Sequence, residues 1–214
     1  MLDVHAPHHT PNGTRDFFIH LFTITVGLLI AVGIEGAVEW RHHRHLAHDA
    51  EASMTAEIRS NAKGIAATLE DLHKEQESLK HDVIVLNEVI KTDKDPGHEH
   101  MDISFHIHTF DSLSWTTAQT TGALAYMPYD RASDFAEIYK VQDELSRSEE
   151  VAARDAAVSL GPFLVEDPKS SMFTSANATE MKRNILIQLG QLLIVDSFMK
   201  GLDAEYKKFL AAHP

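Results

Sequence analysis

The sequence predicts an all-α protein in which an N-terminal transmembrane helix continues into a long helix, packed with about three further helices as a bundle. Three observations carry that expectation. One stretch near the N-terminus is apolar on every side, and a sevenfold apolar repeat follows it. Beyond the repeat, Pro and Gly cut the chain into segments of helical period, while strand-like alternation is confined to residues 103–108.

Residues 1–16 form a short polar tail. Residues 17–34 read FFIHLFTITVGLLIAVGI, and twelve of the eighteen are Phe, Ile, Leu or Val. On an insertion scale they supply about -4 to -7 kcal/mol gross, before His20 and the threonines subtract from it. At about 1.5 Å per residue, eighteen residues reach about 27 Å, close to a hydrocarbon core of about 30 Å. The expected span is 17–38, anchored by Phe17, Phe18, Leu21, Leu28 and Leu29, with Trp40, Arg41 and Arg44 as interfacial residues. A buried core helix and a cleaved secretory signal are the alternatives. All-round apolarity speaks against the first, and a tail with one Arg and two Asp against the second. Arg15 on one flank and Arg41, Arg44 and Arg59 on the other differ too little to set orientation. Gly27 and Ala31, four apart, offer a face on which two such helices can pack closely.

Residues 39–92 are expected as one long juxtamembrane helix, because after Trp40 there is no Pro before Pro96 and a single Gly, Gly64, where a bend is expected. Ile58, Ile65, Leu72, Leu79 and Leu86 recur by sevens, accompanied by Ala62, Leu69, Gln76, Val83 and Ile90. Such a seam must be covered, either by later helices of the same chain or by a second copy in a parallel coiled coil. Ile84 and Val85 widen the stripe beyond a two-position seam, which favours a bundle.

Residues 93–110 read as a His-rich connecting loop opened by Pro96-Gly97, and residues 111–212 as the remaining helices. A helix is expected over about 111–127, broken by Pro128. Another runs from an Asp130 cap to about 160 and stops at Gly161-Pro162. A last helix opens on the box-like Asn177-Ala-Thr-Glu180 and ends near 211. Its apolar run, 185–195, includes Gln188, Gly190 and Gln191, and reads as too short and polar to span a bilayer. The expected core comprises Ile58, Ile65, Leu69, Leu72, Leu79, Trp115, Leu189 and Leu192.

Composition narrows the chemistry. The 214 residues include no Cys, which excludes disulfides, thiolate catalysis and cysteine zinc sites. The net charge is -13, and residues 41–214 carry 18 Lys/Arg against 28 Asp/Glu, a balance that disfavours nucleic acid. The 15 histidines stand out. His98, His100, His106 and His108 bracket Asp102, and two His-x-His pairs with a carboxylate can furnish a zinc- or nickel-type shell, although a solvated loop explains the same residues. His42, His43, His45 and His48 form, with Arg41 and Arg44, a polar collar at the membrane exit. No triad, phosphate loop or paired-carboxylate signature can be placed, so no enzymatic activity and no cofactor are expected. The expected partners are the lipid bilayer and a protein partner or a second copy.

The segment 17–40 with the helix after it, then Trp115, Thr121-Gly122-Ala123-Leu124, Tyr129 and Ile138-Tyr139, resembles a group of uncharacterised bacterial single-pass membrane proteins with a helical soluble domain. The resemblance runs along most of the chain. It implies a bacterial plasma membrane location and supplies no catalytic residues.

Overall fold

The computed structural model describes residues 13–94, 101, 106–165 and 174–213. Four α-helices account for most of them: α1 (Thr14–Thr92), α2 (Leu113–Thr120), α3 (Tyr129–Val165) and α4 (Ser175–Ala212), with a 3-10 turn at Ala123–Tyr126. No strand occurs among the described residues.

Helix α1 runs for 79 residues, past Gly64, without interruption. At about 1.5 Å per residue that is close to 120 Å. Within its apolar stretch Thr23 Oγ1 donates to the Ile19 carbonyl (2.9 Å) and Thr25 Oγ1 to that of Leu21 (2.8 Å), so both hydroxyls are satisfied without water. Asp93 ends the helix in the left-handed conformation, its N–H donating to Val89 O.

The heptad seam is the core. Ile58, Ile65, Leu72, Leu79 and Leu86 are all buried. Gln76, the polar member of the companion series, donates to the Leu192 carbonyl at 3.1 Å. Helix α4 covers the seam, so the chain supplies its own lid. It packs against both α1 and α3, while α2 and the 3-10 turn rest on α1. Ser175 bonds to Asp93 and to the Ile90 carbonyl at one end, and Gln76 meets Leu192 further along, so α4 is antiparallel to α1. Tyr206 meets Gln142 and Gln191 meets Asp155, so α3 is antiparallel to α4 and parallel to α1.

Several boundaries differ from the sequence expectation. The helix expected over 111–127 stops at Thr120, because Gly122 turns the chain at φ 74 and only the 3-10 turn follows. Helix α3 continues to Val165 through Gly161-Pro162. Proline lacks the N–H that the Val158 carbonyl would otherwise accept from, and the helix continues past it. Helix α4 begins a turn earlier than Asn177: Thr174 is the cap, its Oγ1 accepting from the Asn177 N–H at 3.3 Å.

Both α1 and α4 are long and apolar enough to cross a membrane by length and composition. This exceeds the sequence expectation for α4, whose apolar character extends past the eleven-residue run. The two differ in surroundings. None of the apolar stretch in α1 is buried, whereas a third of that in α4 is, and its Asn184 and Gln188 are inside the bundle.

Candidate functional site

Three regions bring chemistry-bearing side chains together. The first is where α1 leaves its apolar stretch. Phe17, Phe18, Leu21, Leu28, Leu29 and Trp40 are exposed, and nothing lies near Gly27 that a Cβ would meet. The Arg44 guanidinium sits 5.4 Å from the centre of the Trp40 ring, a cation–π pair at the polar boundary. One turn on, His43 stacks on Tyr126 of the 3-10 turn, centroids 3.7 Å apart and planes within 9°.

The second region lies where the connector meets the bundle. His108 Nδ1 is 3.2 Å from Glu149 Oε1 on α3, and His106 Nδ1 is 3.7 Å from Glu75 Oε2 on α1. The two carboxylates are almost wholly buried, Glu75 at 5% and Glu149 at 1% exposure. Among the described residues neither Glu75 oxygen meets a donor in full hydrogen-bond geometry, and Glu149 Oε2 has no partner. Burial therefore raises the Glu75 pKa above its ordinary value, against the opposing pull of His106 and His108. The Glu149 carboxylate raises that of His108, outweighing desolvation. Glu75, His106 and His108 line one cleft of about 500 Å³, with Asp71, Lys74, Ser78 and Ile107. Among the described residues no three His, Asp or Glu side chains converge as a metal shell. His98, His100 and Asp102 lie outside the described residues, and His106 and His108 approach two different carboxylates.

The third region is a cleft of about 520 Å³ between α2 and α3, walled by Trp115 and Tyr139 stacked at 5.1 Å. Trp115 is half-buried at the core edge, as is Leu189. Beneath it runs a polar network. Tyr139 Oη donates to Glu57 Oε1 (2.7 Å), and the other Glu57 oxygen accepts from the Ser114 N–H (2.8 Å). Gln142 Nε2 donates to the carbonyls of Phe110 and Asp111, and its Oε1 accepts from Tyr206 Oη at 2.8 Å. Asn61 Nδ2 also donates to Asp111 O, and Asn61 Oδ1 accepts from the Asp111 N–H. Burial pushes both tyrosine pKa values well above the ordinary range. The network moors the connector and α2 to α1.

Sequence reasoning found the histidines and Trp115 but missed Glu57, Glu75, Gln142 and Glu149. A signal existed: Gln142 and Glu149 fall on the helical face of α3 that also carries Phe135, Ile138, Leu145 and Ala152. A polar residue in register with a core stripe marks an internal partner.

No family model matches the chain, and neither a curated protein nor a solved structure does.

Proposed function

We propose that this protein is a membrane-anchored helical-bundle scaffold, a non-enzymatic interaction module held to a bacterial plasma membrane by a single span. One observation carries the reading. Helix α1 is apolar with no residue buried over its N-terminal stretch, and further along it contributes to the bundle core. Eleven large apolar side chains exposed over 17–34 make a patch far beyond what a monomeric surface sustains, and lipid is the solvent that suits them. The unbroken helix then fixes the bundle directly to the anchor.

The full chain is expected to stay with membranes through alkaline carbonate extraction. Val26→Arg combined with Leu29→Arg should release it or leave it aggregated. Each central Arg costs about 2.5–3.5 kcal/mol, and two together offset most of the gross insertion energy. Release of the unmodified chain as a dispersed protein would sink the anchor. Cross-linking in membranes followed by identification of captured chains tests the scaffold role.

A membrane-tethered sensor subunit is the second reading, favoured by the buried Glu75 on α1 facing His106 and His108 across an open cleft. Occupancy there by a metal or small ligand would act on the helix that enters the lipid. Calorimetric titration of the full chain in detergent with zinc and nickel tests the metal form. Binding is expected to disappear when His98, His100, His106 and His108 are replaced by Ala, and absence of binding to the unmodified chain ends that form.

A further inference from the structure

We propose that the segment joining the 3-10 turn to α3, residues 126–129, rests in the lipid headgroup layer beside α1 and gives the bundle a second contact with the membrane. The proposal builds on the reading of α1 as a membrane span. Its starting point is the level at which the segment sits. Tyr126 stacks on His43, which lies three residues beyond Trp40 on the same continuous helix. Three residues advance about 4.5 Å along a helix axis. The polar layer on each face of a bilayer is about 5–8 Å deep, so a ring that close to an interfacial Trp lies within it. Helical side chains lean towards the N-terminus, which for α1 is the membrane side, and this draws the His43 ring closer still.

The chemistry of the segment suits that layer. Tyr126 is 47% exposed, and Tyr129, at 84%, is more exposed than any other large apolar or aromatic side chain among the described residues. Neither ring is needed to close the core, because Met127 between them is the residue that turns inward. Tyrosine combines an apolar body with a polar tip, and that combination concentrates at membrane interfaces. Helix α3 starts at Tyr129 and runs parallel to α1, away from the membrane, so the first-turn side chains of α3 also lean towards the lipid. The His43–Tyr126 stack holds the turn at this height, and the ion pair of Arg131 with Glu51 ties the start of α3 to α1 further from the membrane. Two contacts, one through α1 and one through residues 126–129, fix the tilt of the bundle, which a single helix would leave free.

The chain contains no cysteine, so single-cysteine variants carry a unique label. Tyr129→Cys, Lys80→Cys and Val26→Cys, each bearing an environment-sensitive fluorophore, are placed in phosphatidylcholine–phosphatidylglycerol nanodiscs containing spin-labelled lipid. Tyr129 and Lys80 are exposed, so neither substitution disturbs packing. The label at position 129 is expected to be quenched several-fold more than that at 80 by a headgroup spin label, and the label at 26 by an acyl-chain spin label. Quenching at 26 with equal, weak quenching at 129 and 80 overturns the second contact and leaves the anchor standing. No quenching at 26 removes the anchor itself and the proposal with it.

Discussion

Replacing Gln142 with Leu is expected to cost the protein about 3–5 kcal/mol of stability, far more than the loss of one ordinary hydrogen bond. Gln142 is 3% exposed and serves four groups at once: the Phe110 and Asp111 carbonyls, Tyr206 Oη and Asn61 Nδ2. A Leu fills similar volume but satisfies none of them. The Tyr206 hydroxyl is fully buried, and each polar group stranded in such a place costs about 1–3 kcal/mol. Tyr206→Phe removes a donor without stranding one of its own and should cost about 1 kcal/mol. Denaturant unfolding of the full chain in detergent, followed by circular dichroism, measures both. Equal losses would show that the network is not cooperative. Because Gln142 and Asn61 grip Asp111 from α3 and α1, the Leu variant should also expose residues 93–110 to faster proteolysis.

Stability should fall as pH rises from 5.5 to 8.5, and the connector cluster is the reason. His108 has a folded-state pKa above its ordinary 6.5, held there by Glu149 and favoured further by Glu75 and Asp71. The stabilisation it provides is complete below 6.5 and is lost as pH climbs through the raised value. Glu75 is also raised, by burial, so the unfolded chain releases this proton first and stability declines from about 4.5 upward. Both groups act in one direction. In a chain of this size each kcal/mol moves the melting temperature by about 2–4 °C, which thermal scans across the range resolve. Glu149→Gln removes the charge that raises His108 and should flatten the decline above pH 6.5 specifically. A melting temperature that rises with pH, or an unchanged slope in the Gln variant, would refute the assignment. Lys74, which also lines the cleft, is paired with Glu70 and Asp71 and stays charged throughout.

The exposed apolar stretch, the seam and the helical class were legible from residue order alone, because each depends on a pattern that is local. Residues 17–34 are apolar at every phase of the helix, and Ile58 to Leu86 recur with the period of one face, so solvent preference follows without knowledge of neighbours. Loop boundaries were less legible. The box-like pattern at Asn177 marks the start of α4, but Thr174 caps it, and α3 runs on through Pro162, where the sequence predicts a stop. What only the tertiary structure decided was pairing. It showed that α4, more than eighty residues further along, covers the seam and leaves a coiled-coil partner unnecessary for it. It likewise set Glu75 and Glu149 against His106 and His108, and Tyr126 against His43. A periodic pattern tells which side of a helix avoids water. Which distant side chain meets it is settled by the packing of whole helices, where a shift of one turn exchanges every partner.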